Sequence, residues 1–251
     1  RGKIAKARRE APAAEIPLRF DAAWTGALTD RWLGALGPHC IRGESPPPGA
    51  KLLVAIDHST SPGRQAAALV AFRPGSPDRP QDGRFWLVDE VCVLDPKVSI
   101  STSLQDDARN ILAMLARNGL GWQHVDVWVG DRAAIPTTNR QLRKDNAALR
   151  RRLADEARVE INHFPVIEVP YKAGGTVYNG INELNARMAA PAHSFSVHPR
   201  CVGFIKACQT WNGEKRSHYK DIIDAVRYAL ETALGGKKWH QAAKNNSILT
   251  R

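Results

Sequence analysis

The chain alternates between short apolar runs that end at turn-forming residues and longer segments in which apolar residues recur at helical spacing. Three of the short runs come first, and only Gly-, Pro- and Asp-rich connections separate them. This pattern predicts three strands in an antiparallel meander. The strands are Leu52–Ile56, Ala66–Phe72 and Phe85–Leu94.

Helices and strands alternate after the meander. The first predicted helix is Ser103–Asn118, which Ser103 can cap and Gly119 can end. The remaining predicted elements are a strand at Val125–Val129, a basic helix at Thr138–Ala157, a strand region at Val159–Val169, a helix at Val177–Met188, a short strand at Phe195–Val197, and helices at Val202–Trp211 and Asp221–Leu234. The order predicts an α/β fold whose mixed sheet has three antiparallel strands, then parallel strands, and is flanked by helices.

The regular pattern occupies residues 51–236. Residues 1–50 contain the basic segment Arg1–Arg9, a candidate short helix at Ala22–Leu36 and the Pro-Gly-rich stretch Arg42–Ala50, so they are interpreted as a leader and linker. Residues 237–251 are polar and are expected to form a flexible tail.

The amino-acid composition excludes several classes of protein and points to one kind of partner. Hydrophobic residues make up 43% of the 251 residues and charged residues 24%, which excludes wholesale disorder and a fibrous repeat. The four cysteines include no C-x-x-C pair, so a zinc site has little support, and no run of 18 apolar residues predicts a membrane span. Lys and Arg number 36 against 25 Asp and Glu, and the net charge of +11 favours a polyanionic partner such as nucleic acid.

Two acidic residues follow apolar strands directly. Asp57 ends the run Leu52–Ile56, and Asp131 follows Val125–Val129 after one glycine. If these strands are parallel neighbours, both carboxylates emerge at one edge of the sheet, where α/β proteins place their ligand sites. Taken alone, each aspartate is more commonly a turn or helix-cap residue.

The last predicted helix adds two more acids. Asp221 and Asp224 are three residues apart and share one helix face. Asp224 lies next to the apolar side of that helix, where a carboxylate needs a cation or a metal ion as a partner. A salt bridge to Lys220 or Arg227, with Asp221 at the helix N-terminus, is the alternative.

Together, carboxylates from two strand ends and one helix suit hard divalent cations, because Mg²⁺ prefers oxygen ligands. Two such ions can activate a water and stabilise the leaving oxygen during phosphodiester cleavage. Asp89 and Glu90, on the third strand, are expected to be solvated instead. The candidate phosphate contacts are Lys215, Arg216, Lys220 and Arg227 beside the helix acids, and Arg143 and Lys144 on the basic helix. A solvated face is the ordinary alternative for such a basic run.

Three segments carry a resemblance to a known family. They are Leu52–Asp57 (LLVAID), Val127–Asp131 (VWVGD) and His218–Leu230 (HYKDIIDAVRYAL). They resemble the nuclease domain of the large terminase subunit of tailed bacteriophages, a ribonuclease H-like domain. The D-A-x-R-Y-A-L helix preceded by a histidine is the most specific of the three, and the resemblance spans roughly residues 51–234.

The resemblance implies roles for individual residues. Asp57 would bridge two Mg²⁺ or Mn²⁺ ions, and Asp131 and Asp224 would be the other catalytic acids. Asp221 would be a further metal ligand, in a spacing that is also similar to the paired helix acids of Holliday-junction resolvases. His218 would orient a water or contact a phosphate.

The resemblance also implies a biological setting. The expected activity is metal-dependent endonucleolytic cutting of concatemeric viral DNA during genome packaging, in the cytoplasm of an infected or prophage-carrying bacterium. The expected partners are double-stranded DNA, the portal protein, the small terminase subunit and an N-terminal ATPase domain, with no membrane. The sequence has no G-x-x-x-x-G-K-[ST] phosphate loop, so residues 1–50 would be a leader from an ATPase domain outside these 251 residues. Ser59–Arg64 also lacks the further acid that some family members carry after the first strand.

Two alternatives remain open at this point. A junction resolvase or a transposase-like nuclease would use the same chemistry, and the spacing of Asp221 and Asp224 supports it. A catalytically inactive DNA-binding or scaffold domain is the alternative of another class, because an intact set of acids does not prove that metal ions bind.

Overall fold

The computed structural model of the chain describes residues 33–58, 65–75, 82–94, 103–131, 146–169, 177–189, 194–214 and 217–235. The predicted tail and nearly all of the predicted helix Ala22–Leu36 lie outside these residues. None of the described helices is both long and apolar enough to cross a membrane.

Six strands form one mixed sheet in the order β5-β4-β1-β2-β3-β6. The strands are β1 Lys51–Asp57, β2 Ala66–Arg73, β3 Arg84–Val91, β4 Val127–Gly130, β5 Ile167–Glu168 and β6 Phe195–Val197. β1, β2 and β3 pair antiparallel, whereas β4, β5 and β6 each pair parallel to a neighbour. The predicted fold class is therefore confirmed.

Five described helices cover the two faces of the sheet. They are α1 Leu104–Ala116, α2 Asn146–Glu156, α3 Val177–Ala189, α4 Val202–Thr210 and α5 Tyr219–Gly235. At the start of α1 the Ser103 side chain accepts the Asp106 N–H, and Gly119 follows the helix with φ +70°, as the sequence predicts.

The core has two parts, one on each face of the sheet. Alternate residues of β1 enter different parts: Leu53 and Ala55 pack beneath α3, α4 and α5, and Val54 and Ile56 pack beneath α1 and α2. The same alternation directs Asp57, the last residue of β1, to the face that α5 covers.

The predicted strand Val159–Val169 is wrong over most of its length. Only Ile167–Glu168 pairs with β4, and the residues before it form turns. Arg158 turns the chain with φ +55° directly after α2. The guanidinium of Arg150 then binds the carbonyls of Ile161, Phe164 and Pro165, so a side chain uses acceptors that a strand would offer to a neighbour.

A register shift in the β2–β3 pairing sets which face of the sheet each of two adjacent acids takes. It falls between Leu69 and Val70, so that Asp89 lies opposite Leu69, on the α1 face, and Glu90 opposite Ala68, on the α5 face. Asp89 and Glu90 are 2% and 8% exposed, so the expectation that both are solvated is wrong.

Glu90 gives the fold a specific pH dependence. Its carboxylate accepts the N–H groups of Gly203 (2.5 Å) and Phe204 (3.0 Å) at the start of α4. Burial nevertheless raises the pKa of the Glu90 carboxyl to about 7, from an ordinary value of 4.5. Between these pH values the folded state holds a proton that the unfolded state has released. The free energy of unfolding should therefore fall as the pH rises through this range, by on the order of 3 kcal/mol.

The measurement is urea unfolding at pH 5 and pH 8 of the natural chain and of Glu90→Gln, which cannot titrate at this position. The unfolding free energy of the natural chain minus that of Glu90→Gln should be more positive at pH 5 than at pH 8. The same difference at both pH values would show that Glu90 is ionised throughout.

Candidate metal centre

Asp57 and Asp131 lie side by side where β1 and β4 end. The two strands are parallel, with Ile56 opposite Gly130, and the Asp131 N–H donates to the Ile56 carbonyl at 3.2 Å. The strand alternation directs both aspartates to the face covered by α5. The predicted parallel pairing is thus confirmed, and the two acids share one edge of the sheet.

Tyr228 links this edge to α5. Its hydroxyl donates to Oδ2 of Asp131 at 3.0 Å, and the side chain is buried. Burial raises the pKa of the Tyr228 hydroxyl, and the nearby negative charges of Asp57, Asp224 and Asp131 raise it further. The charges of all three acids predicted to be catalytic therefore act on the Tyr228 hydroxyl, and Asp131 accepts a hydrogen bond from it.

Asp224 is 2% exposed and bound by two cations of its own helix. Arg227 donates to Oδ1 from Nη2 at 3.0 Å and from Nε at 3.2 Å, and the Lys220 ammonium binds Oδ2. The salt bridges that the sequence left open as an alternative to a metal both form. They offset the cost of burying the carboxylate.

The Lys220 ammonium is shared among the acids of the site. Burial lowers its pKa, but the charges of Asp224, Asp57 and Asp221 outweigh this, so the pKa of Lys220 is raised. Asp221 lies in the first turn of α5 and is partly exposed, so it faces the rim of the site and not its interior.

The remaining predicted residues divide into three groups. Arg227 is buried and also donates to Oε1 of Glu231 at 2.7 Å, so a phosphate would reach its guanidinium only after both ion pairs opened. The His218 ring lies against the Tyr219 ring, with 3.9 Å between centroids, just before α5. Four predicted phosphate contacts lie outside the described residues: Arg143, Lys144, Lys215 and Arg216.

The donor chemistry of this edge fits Mg²⁺ or Mn²⁺, because three carboxylates from three elements converge on it. These side chains do not yet form a metal site. Across the described residues, no three Asp, Glu, His or Cys side chains form a group that could hold a metal ion in their present positions. Lys220 and Arg227 occupy both oxygens of Asp224, and Tyr228 occupies one oxygen of Asp131. A bound ion would have to replace the ammonium group of Lys220.

Two residues of the site were not predicted. Tyr228 follows Asp224 by four residues, so the helical period places it on the same face of α5, and this signal was present in the sequence. Gly180 of α3 lies so close to Arg227 that a Cβ would collide with its side chain. Glycine at this position therefore lets α3 cover the ion pairs of α5, and no local pattern indicates it.

The comparisons with known proteins agree with this architecture. The large terminase of a thermophilic bacteriophage is similar in structure, with a TM-score of 0.53, 12% identity, and coverage of 80% of this chain and 44% of that protein. The same terminase in complex with ADP gives a TM-score of 0.52, 14% identity, and coverage of 78% and 42%. The chain thus spans less than half of that terminase, and at this identity the likeness is one of fold. No family model matches the chain, and no curated protein matches it.

Proposed function

We propose that the chain is a metal-dependent DNA endonuclease of the terminase kind, which cuts concatemeric viral DNA during packaging. The observation that carries the proposal is the placement of Asp57 and Asp131 at the neighbouring ends of β1 and β4, where Tyr228 of α5, the helix that carries Asp224, binds Asp131. The fold shared with a phage large terminase supports it.

Each residue has a defined part in this proposal. Asp57, Asp131 and Asp224 would hold Mg²⁺ or Mn²⁺, with Asp221 as a further ligand at the rim. The bound ions, two in number, would supply an activated water and stabilise the leaving oxygen. Tyr228 positions Asp131 by donating to one of its carboxylate oxygens. Arg227 holds the orientation of Asp224 from inside the protein.

DNA would be held by the cations around this edge. Lys220, whose side chain is 29% exposed, is the described residue best placed for a phosphate contact once it releases Asp224. Lys215, Arg216, Arg143 and Lys144 are proposed as further phosphate contacts, and His218 as a residue that orients water or phosphate. Because contacts to phosphate carry no base information, we expect little sequence preference in cutting.

The same proposal includes a packaging complex. Its partners would be an ATPase domain, the portal protein and the small terminase subunit, assembled on double-stranded DNA in the bacterial cytoplasm. The similar solved structures are of a phage large terminase, one of them in complex with ADP, which supports a place beside an ATPase.

The test is cleavage of supercoiled plasmid by the 251-residue chain with Mn²⁺ or Mg²⁺. We expect nicked and linear DNA, complete loss of cutting with excess EDTA, and recovery when metal is restored. Calorimetric titration with Mn²⁺ provides a second readout that does not depend on cutting. Cleavage unaffected by EDTA, or no Mn²⁺ binding together with no cleavage, would contradict the proposal and leave a DNA-binding scaffold.

The resolvase alternative is tested by substrate. Asp221 acts electrostatically on the same lysine as Asp224 and Asp57, and the helix-acid pair of resolvases has this spacing. A terminase-like enzyme should cut linear duplex at least as fast as a four-way junction of the same sequence. Strong preference for the junction would favour the alternative.

A further inference from the structure

A second group of cations lies at the opposite end of the sheet from Asp57. Arg73 ends β2 and Arg84 begins β3, and the two are directly opposite each other in the antiparallel register. Both are exposed, and neither side chain forms an ion pair or hydrogen bond within the described part of the chain. Like charges in direct cross-strand pairs are destabilising, so this arrangement has a cost that a bound anion would remove.

A third arginine and a tryptophan complete the wall of a cleft. Arg42, from the segment before β1, donates from Nε to the His39 carbonyl at 2.8 Å, which holds its side chain in place. Arg42, Arg73, Arg84 and Trp86 line a cavity of about 540 Å³, which we call the arginine cleft.

The acids of the arginine cleft only partly balance these cations. Glu44 and Asp82 also line it, and Glu44 accepts a hydrogen bond from the Ser196 hydroxyl at 2.8 Å. Three guanidinium groups therefore face two carboxylates. Guanidinium groups match the geometry of phosphate oxygens, and Trp86, which is 7% exposed, lines the cleft beside them.

The arginine cleft is separate from the candidate metal centre. Phe85 and Leu87 enter the core beneath α5, so Arg84 and Trp86 face the other side of the sheet. The cleft also lies at the far end of β1, a strand of seven residues that spans about 20 Å. Binding there would not require the acids of the metal centre.

We propose that the arginine cleft binds a nucleic-acid strand, with phosphates on Arg73, Arg84 and Arg42. The cavity is much larger than a single phosphate, and the chain has a net charge of +11, which together favour a polymer over a small anion. The inference is independent of the proposed nuclease activity, since it concerns binding at a different edge and face.

The experiment measures fluorescence anisotropy of labelled single-stranded and duplex DNA with the full 251-residue chain in EDTA. The double variant Arg73→Gln/Arg84→Gln should bind on the order of tenfold more weakly and lose about two units of the salt dependence of log K. The matched control Arg109→Gln/Arg158→Gln removes the same charge from arginines elsewhere on the surface and should change affinity far less.

Two outcomes would overturn the proposal. Equal weakening in both double variants would mean that only net charge matters. The cleft would instead be assigned to a free anion if Arg73→Gln/Arg84→Gln bound DNA as tightly as the natural chain, while ATP or inorganic phosphate raised the Tm of the natural chain and not that of the variant. Thermal unfolding without ligand confirms folding, and Arg73→Gln should not lower the Tm because it relieves a repulsion.

Discussion

Replacing Asp57 by Asn should slow DNA cleavage by roughly 10³-fold or more, because it removes a charged oxygen ligand from the proposed metal centre. Asp57 is the cleanest position for this test. It ends β1, it is 7% exposed, and its orientation is set by the backbone pairing with β2 and β4. Asn preserves the size of the side chain while the carboxylate charge is lost.

Asp224 is a less informative target for the same question. Its carboxylate is bound by both Lys220 and Arg227, so Asp224→Asn would remove a proposed metal ligand and also weaken an ion pair with each of these two cations. A loss of activity there could not be separated from a loss of stability.

The rate is measured as single-turnover cutting of supercoiled plasmid in Mn²⁺, with Mn²⁺ titration and thermal unfolding on the same samples. Asp155→Asn is the control, since it removes an exposed carboxylate that forms a surface ion pair with Arg152. We expect Asp57→Asn to keep its Tm within a few degrees and to lose Mn²⁺ affinity along with activity. Full activity in Asp57→Asn would exclude the strand-end acids as the catalytic centre.

The position of Asp57 was predictable because it depends on two short-range patterns. Apolarity over Leu52–Ile56 indicates a central strand, and the same pattern before Asp131 indicates another. Strand alternation then fixes which face each acid occupies once the strands are neighbours. Only the pairing of β1 with β4 needed the structure, because Ile56 and its partner Gly130 are far apart along the chain and sequence patterns do not specify such contacts.

The wrong predictions arise where a contact in the folded structure overrides the local sequence pattern. Val159–Val169 has the composition of a strand, but Arg150 on the preceding helix binds the backbone carbonyls of this segment. Glu90 and Asp89 are charged and were expected in water, but strand alternation directs them to opposite faces, and the register shift sets which acid takes which face. Both errors come from a single distant or irregular contact that overrides a local preference.

For Asp224, the sequence predicts that a positive partner is needed but not which partner it is. The sequence shows that a carboxylate beside Ile223 and Ala225 needs a positive partner, and it offers lysine, arginine and a metal ion as candidates. The structure contains the first two. The metal interpretation therefore depends on whether divalent ions compete successfully with Lys220, which is a question of affinity and is answered by the Mn²⁺ titration.

Asp89 should be the acid with the largest effect on stability. It is 2% exposed and accepts Arg117 through both oxygens, at 2.6 Å from Nε and 2.9 Å from Nη2, and Asn118 at 2.6 Å. Burial raises the pKa of the Asp89 carboxyl, but these hydrogen bonds outweigh it and the pKa is lowered. Asp89→Ala should reduce the free energy of unfolding by about 3 kcal/mol, because the donors of Arg117 and Asn118 lose their acceptor.

Urea unfolding at pH 7 measures this loss, and Asp155→Ala is the control, expected within about 0.5 kcal/mol of the natural chain because its ion pair is exposed. The stabilisation by Asp89 should also disappear as the pH falls below about 4, opposite in sign to that of Glu90, because the folded pKa is lowered. Where the protein remains folded, Asp89→Ala should keep its Mn²⁺ affinity, since Asp89 faces α1 and not α5. A loss below about 1 kcal/mol, or a loss of Mn²⁺ binding, would contradict the division of the buried acids into one group that stabilises the fold and another that forms the proposed metal centre.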